Sequence, residues 1–332
     1  MTEQVPVVEL SASLDQYLSG KLSPESQEGL AAAQVVKMIG DSLRRWGFVS
    51  ISGHGIKPEL LDEAYAAARK TFALSDQIKS RYEDVEGGRQ RGYTPLLMER
   101  AKGQSLGDLK EFWHIGRELS DNHPYRMNGS MRPNLFPEET PRFKSAMSRL
   151  YTTMDELAHR MLRVIELYLK IDAGRLSALA DEGNSVLRVL HYPALDAFEE
   201  RAEGSVRAAA HEDINLLTLL PAATEPGLQL LTHEGDWLDI TPPAGAIILD
   251  TGDMMSAVTC GALPATTHRV INPAGTDASA RLSMPFFMHP RPDAHLDALV
   301  KSKGERNGGS VEGLGLTAAE FLSRRLEENG LA

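Results

Sequence analysis

Apolar residues recur at two different spacings along this chain, and the change between them divides it. Over the first half they return every three or four positions, the period of a helix with one buried face. "SPESQEGLAAAQVVKMIGDSLRRWG" (23–47) predicts such a helix, with Ser23 as N-cap, Pro24 in the first turn and Gly47 as its stop. "KPELLDEAYAAARKTFAL" (57–74) repeats the period through Leu60, Leu61, Ala64, Ala67, Ala68, Phe72 and Ala73. "RFKSAMSRLYTTMDELAHRMLRVIELYLKI" (142–171) carries a stripe of Met147, Leu150, Met154, Leu157, Met161, Val164 and Tyr168. Methionines on such a stripe are core packing. His159 falls off it and is expected to face water. A short strand, "VPVVEL" (5–10), precedes these helices, and a strand and turn, "FVSISGHG" (48–55), lies between the first two. In that turn His54 is expected to pack or to hydrogen-bond.

After about residue 184 the runs shorten. "SVLRVLHY", "SVRAAAH", "NLLTLL", "GLQLL", "WLDI", "GAIILD", "THRVI" and "RLSMPFFM" are β-rich and separated by Pro, Gly, Asp and Asn. Many short strands with turn signals predict a sandwich, jelly roll or barrel. Residues 84–140 show no sustained period and are expected to be an irregular covering or functional segment. "TAAEFLSRRLEENG" (317–330) closes the chain as a helix, with Thr317 and Glu320 as a capping box. "KGERNGGSVEGLG" (303–315) is expected to be a flexible surface link. The predicted class is α+β with a mainly β core. Residues 1–183 form an amino-terminal helical region with the first strands. Residues 184–332 form a β-rich region with a last helix, and the two are expected to make one structural unit.

Composition narrows the partners. The chain has 332 residues, 42% of them hydrophobic and 24% charged, which is ordinary for a globular protein. A net charge of −11 disfavours a general phosphate-backbone binder, so no nucleic acid is expected. Cys260 is the one cysteine, which excludes an intramolecular disulfide and a multi-cysteine zinc site. No basic leader and no 18-residue apolar stretch is present, so no membrane span and a reducing, cytoplasmic location are expected.

The candidate chemistry begins at "AAAHEDINLLTLLPA" (208–222), where charges abut an apolar run. Residues i and i+2 of a strand point the same way, so His211 and Asp213 present an imidazole and a carboxylate to one side. His268, in "ATTHRVINP", is the leading third donor. Two His and one carboxylate with open positions is the facial triad of non-haem Fe(II) oxygenases. A His-x-Asp triplet also arises as a surface ion pair, so the reading needs a second feature. "RLSMPFF" supplies it: Arg281 and Ser283 share a strand face and form a carboxylate clamp. Arg188 and Arg207, on predicted strands near the site, would each bind an acidic substrate or pair with a core carboxylate. Tyr93 and Trp113 would line a substrate pocket or serve as buried aromatics. His233 and His295 fall in surface loops.

With these motifs in place, the chain resembles the isopenicillin N synthase-like branch of the Fe(II)/2-oxoglutarate-dependent dioxygenases over nearly its whole length. The resemblance runs through "LRRWGFVSISGHGI", "ARKTFALS", "RGYTP", "DLKEFWHIGREL", "NLFPEE", "LRVLHYP", "AHEDINLLTLL", "GDMMSAVTCGALPATTHRVINP" and "RLSMPFFMHP". It implies a distorted double-stranded β-helix, a jelly roll backed by long helices. It implies His211, Asp213 and His268 as iron ligands, and Arg281 with Ser283 as the holder of the distal carboxylate of 2-oxoglutarate. Tyr192 would support that carboxylate. Fe(II), 2-oxoglutarate and dioxygen are then the expected cofactor and cosubstrates, with ascorbate helpful in vitro. The implied reaction is hydroxylation or desaturation of a small molecule, with release of succinate and carbon dioxide, by a monomer or weak homo-oligomer.

Two positions depart from the pattern. Leu190 stands where plant members usually have Asn, and Cys260 where many members have Asn; the thiol is expected to be a small buried hydrophobe. Asp213 is present, which disfavours halogenating variants. Other readings are a 2-oxoglutarate-independent oxidase of the isopenicillin N synthase type, a non-catalytic ligand-binding relative, and a zinc hydrolase in which Arg281 and Ser283 have no role.

Overall fold

Among the described residues, thirteen short strands, most of them three to five residues long, assemble into two sheets. The structure is a computed structural model and describes residues 4–99, 107–194, 206–272, 279–300 and 315–328. The strands are β1 (Val7–Glu9), β2 (Phe48–Ser52), β3 (Gly92–Thr94), β4 (Glu111–Gly116), β5 (Val186–Tyr192), β6 (Ala208–His211) and β7 (Leu217–Pro221). They continue as β8 (Leu228–Leu231), β9 (Trp237–Asp239), β10 (Ile247–Thr251), β11 (His268–Val270), β12 (Arg281–Ser283) and β13 (Phe286–Met288). The larger sheet runs β1-β2-β10-β7-β13-β5-β4-β3, with β12 also paired to β5; the smaller runs β6-β11-β8-β9. Strands from both halves of the chain therefore share one sheet.

Strand parity sorts the side chains. Leu217, Leu219, Ile247, Leu249, Val49, Phe286, Leu187, Val189 and Trp113 face one way and join the helices in the main core. Their neighbours face the smaller sheet. There Phe48, Ile248 and Leu220 meet Ala208, Leu228, Leu230 and Val270 in a second apolar cluster. Two facing sheets with helices behind the larger make the jelly roll, and its interior is the space between the sheets.

The helices fall close to their expected positions. The longest, Pro141–Leu169, buries Met147, Leu150, Met154, Leu157, Met161 and Val164 along one stripe. His159 is half-buried rather than exposed, and Tyr168, at the end of the stripe, is half-buried too. The helix expected from Ser23 begins later, at Gln27, and its N-cap is Ser26, which accepts from the Gly29 N–H at 3.0 Å. The cause is a fold-back of the preceding turn. A Cβ on Gly29 would lie 2.0 Å from the Ser23 carbonyl oxygen, so the turn packs where only glycine leaves room. Gly47 ends the helix in the left-handed conformation, as expected. The capping box is present: Thr317 N–H and hydroxyl both donate to Glu320, ahead of the helix Ala318–Glu328. The link expected at 303–315 lies outside the described residues except for Gly315. No described helix is long and apolar enough to cross a membrane.

Glu166 anchors the end of the long helix to the entry into β5. Its carboxylate is buried and accepts from the backbone N–H groups of Gly174, Leu176 and Ser177 at 2.8–2.9 Å. Glu166→Ala strands those three backbone donors together, along with the Ser177 hydroxyl, which donates to the same carboxylate. It should lower stability by about 2–4 kcal/mol in urea unfolding, whereas a cost under about 0.5 kcal/mol would mean water replaces the carboxylate freely.

The segment expected to be irregular, 84–140, contains β3 and β4, and β4 is buried at all six positions. A strand covered on both faces carries no polar alternation, so its sequence has no two-residue period to read.

Candidate active site

β6 and β11 pair with His268 directly opposite His211. That register alone puts two imidazoles side by side, with ring centroids 4.5 Å apart. Asp213 follows β6 and completes the group: its Oδ1 lies 3.9 Å from His211 Nε2 and 3.8 Å from His268 Nε2. One donor atom from each residue lies within 4.8 Å of the others, close enough to share one ion. The Nδ1 atoms are turned away, toward Ala209 O at 2.7 Å and Thr266 O at 3.1 Å. Those carbonyls accept only from Nδ1–H, which leaves both Nε2 lone pairs free for a metal. Burial, and next the neighbouring His268, push the His211 pKa down to about 4, so it stays neutral at pH 7 although one edge meets the cavity. Asp213 is oriented by Thr218, whose hydroxyl donates to Oδ2 and itself accepts from Asn215 at 2.9 Å. Phe48 closes the far side of His268, ring edge to ring face.

A second constellation lies on the same interior. β12 pairs with β5 so that Arg281 stands opposite Tyr192 and Ser283 opposite Leu190. Arg281 and Ser283 are buried at 2% exposure each, side by side on the interior face. The Arg281 guanidinium lies over the Tyr192 ring at 5.0 Å. Its Nε donates to Glu225 O at 2.9 Å, while Nη1 is buried with no partner among the described residues. A buried guanidinium nitrogen without an acceptor is costly and marks a seat for an anion.

Between the sheets, in front of His211 and Asp213, is a cavity of about 90 Å³. Arg188 reaches it from β5, its guanidinium carbon over the Phe112 and Phe287 rings at 4.4 and 5.2 Å from their centroids. Its Nε donates to His114 Nε2 at 2.7 Å, and Nη1 pairs with Glu99 at 3.0 Å. Lys110 binds the same Glu99 and also Asp108, both at 2.7 Å. This cluster is buried and its two acids balance its two cations. Burial, then Arg188, hold the His114 pKa well below its usual value, consistent with a neutral ring accepting from arginine. Burial opposes the ionised form of Glu99, yet Arg188 and Lys110 win and keep its carboxyl below the ordinary range.

Known proteins match this arrangement. Residues 5–139 match the family described as non-haem dioxygenase in morphine synthesis N-terminal, and residues 183–290 match the 2OG-Fe(II) oxygenase superfamily. A 2-oxoglutarate-Fe(II) type oxidoreductase of Emericella nidulans is 33% identical, with 80% of this chain and 77% of that one covered. The chain belongs to the 2OG-Fe(II) oxygenase superfamily. A crystal structure of a putative 2OG-Fe(II) oxygenase family protein from Caulobacter crescentus is 34% identical, with TM-score 0.81 and 98% and 99% of the two chains covered. A full-length Neurospora crassa protein, solved in complex with alpha-KG (2-oxoglutarate) and 5-formyluracil, is 25% identical, with TM-score 0.77 and coverage of 97% and 95%. This protein is therefore a non-haem Fe(II)- and 2-oxoglutarate-dependent oxygenase, and the chemistry of the His-Asp-His group and of the Arg281 nitrogen left without a partner among the described residues fits both groups.

Three residues that the sequence offered for substrate separate in the oxygenase. Arg188 lines the cavity. Tyr93 does not: it stands opposite Trp113 in the β3–β4 pair, on the helix-facing side, and its hydroxyl donates to Glu111. The correction is one of parity, since Phe112 and His114 take the interior face of β4 and Trp113 the other. Trp113 is fully buried there and donates from Nε1 to Leu135 O at 2.7 Å. Arg207 is buried beside Arg281 instead of lining the cavity. The sequence reading missed Glu99, Lys110, His114, Phe287 and His289. The first three lie in the segment read as irregular. Phe287 keeps the parity of Arg281 and Ser283 although Pro285 separates β12 from β13, so the alternation in "RLSMPFFM" was the signal that could have found it. Leu322 and Leu326 of the last helix also close the cavity. His54 bonds Gly245 O at 2.7 Å, and His233 and His295 are exposed, as expected.

Cys260 is half-buried, not buried, and its thiol donates to Val300 O. Its backbone φ is +50°, a region where Asn is better tolerated than most residues. Cys260→Asn should leave Fe(II) binding unchanged and stability equal or slightly higher. Loss of metal occupancy in a direct titration would make the thiol a ligand.

Proposed function

We propose that this oxygenase hydroxylates or desaturates a small polar molecule held against Arg188, with release of succinate and carbon dioxide. His211, Asp213 and His268 would hold Fe(II), and Arg281, Ser283 and Tyr192 would hold 2-oxoglutarate. When bound, these groups supply the oxidising power that removes hydrogen from an unactivated carbon. The protein's own residues do the rest. The Nδ1 contacts of both histidines and the Thr218 bond to Asp213 pre-orient the donors, so little reorganisation accompanies binding. Arg281 fixes the far end of the keto acid and so its chelating end.

The observation that carries the substrate reading is Arg188. It lies against two rings and is aimed by His114 and Glu99. A planar fork suits a carboxylate, amide or lactam edge. The balanced cluster behind it favours an uncharged or singly charged substrate, because a strongly charged one would break existing pairs. The cavity's modest size suits a small molecule. The 5-formyluracil held by the Neurospora crassa relative is a molecule of that size and polarity. We further propose a reducing, cytoplasmic compartment, on the single cysteine, and a monomer or weak homo-oligomer.

The test is succinate release under Fe(II), ascorbate and dioxygen, across small carboxylic acids, amides and nitrogen heterocycles. A productive hit should raise succinate above the substrate-free rate, and Arg188→Leu should raise KM for that hit more than KM for 2-oxoglutarate. Turnover of a substrate without any succinate would point to the oxidase reading, and stimulation by large apolar compounds alone would overturn the Arg188 anchor.

A further inference from the structure

Arg207 is 1% exposed and sits four residues before His211, on the stretch that leads into β6. Its guanidinium carbon lies 6.0 Å from the Tyr192 ring centroid, and that of Arg281 lies 5.0 Å from the same centroid. The two arginines thus share one aromatic ring, approaching from the smaller and the larger sheet. Among the described residues neither has a carboxylate within 4.0 Å. Among those residues Arg207 donates only to the Ser279 carbonyl, and Arg281 only to the Glu225 carbonyl. Arg207 Nε and Arg281 Nη1 are both buried without a partner among the described residues. Burial, and next the charge of Arg281, lower the Arg207 pKa, while Tyr192 and Glu225 act weakly the other way.

Two desolvated cations side by side, each with an idle donor, are unfavourable unless an anion comes between them. One carboxylate has about four acceptor sites, enough for two guanidinium groups. An extended chain rises about 3.3 Å per residue, so Arg207 stands about 13 Å along the strand from His211. An arginine there reaches the far end of a keto acid chelated at the metal, not the metal itself.

We propose that Arg207 is a second arm for the distal carboxylate of 2-oxoglutarate. The site is then a two-arginine clamp spanning both sheets, in place of a single Arg-x-Ser holder. The inference rests on the reading that Arg281 holds this carboxylate. It assigns Arg207 to the cosubstrate and removes it from the substrate cavity.

The experiment is anaerobic titration of the Fe(II)-loaded protein, followed by the visible charge-transfer band of the chelate. Two ligands are compared: 2-oxoglutarate and 2-oxopentanoate, which has the same chelating end and a methyl group at the other. Arg207→Gln should weaken 2-oxoglutarate roughly tenfold or more, the worth of one charge-assisted hydrogen bond. It should leave 2-oxopentanoate unchanged. That pattern supports the clamp, because a merely structural arginine would weaken both ligands alike. Equal weakening of both, or 2-oxoglutarate binding within twofold of wild type, overturns it. If Arg207→Gln does not fold, Arg207→Lys carries the test, with a smaller loss confined to 2-oxoglutarate expected and no loss overturning the idea. Arg281→Leu separates the two levels. Weakening in Arg281→Leu without weakening in Arg207→Gln sinks the second arm alone. No weakening in Arg281→Leu sinks the cosubstrate reading beneath it.

Discussion

Alanine at His268 should leave a folded protein that no longer holds iron and no longer turns over. His268 supplies one of three donors, and its Nε2 faces Asp213 across 3.8 Å. Losing a residue that only orients a ligand costs up to about 100-fold in metal affinity, so losing the ligand itself should cost at least that. His211→Ala should behave the same, because the two rings are cross-strand partners at one site. A modest loss of stability should accompany His268→Ala alone, since its ring also packs on Phe48. Titration with Fe(II), or with Mn(II) as an air-stable probe, reads both variants. Wild-type affinity in both would mean the metal sits elsewhere.

Leucine at Arg281 should act on 2-oxoglutarate and spare the metal. The guanidinium is 2% exposed, so the anion it meets is also removed from water. Stranding one member of a buried charge pair costs on the order of 2–5 kcal/mol, mostly as the unpaired charge left behind. The apparent KM for 2-oxoglutarate should therefore rise roughly 30-fold or more, with Fe(II) affinity within a few-fold of wild type. Leucine keeps apolar bulk over Tyr192, which limits collapse of the β5–β12 pair. An unchanged KM for 2-oxoglutarate would remove Arg281 from the cosubstrate site. A parallel loss of iron would instead show that the substitution has disturbed the whole interior.

Much of the site could be read before the fold was known, and the reason is local. His211 and Asp213 are two residues apart in an extended segment, and parity alone turns them to one side. Arg281 and Ser283 obey the same rule. The long helices were legible because their apolar stripe repeats over many turns, as from Met147 to Val164. β4 was not legible. Helices cover one of its faces and the jelly-roll interior the other, so Glu111–Gly116 is buried throughout and its period vanishes. Glu99 and Lys110, the partners of Arg188 in the ion cluster, stayed hidden for a related reason: charges in an irregular stretch look solvated until something buries them.

By itself the sequence determined the helices with unbroken stripes, the parity of each short strand, and the side-chain types available to a metal and an anion. Only the tertiary structure decided which of two faces became the interior. It turned Tyr93 toward the helices and Arg188 toward the cavity, and it set Arg207 beside Arg281. Parity says which residues share a face, because it follows from the backbone of one strand. Which faces confront each other depends on pairings between strands far apart in the chain, such as β5 with β12 and β6 with β11. Those pairings form because both apolar clusters must be covered at once, a condition that belongs to the whole chain and to no single segment.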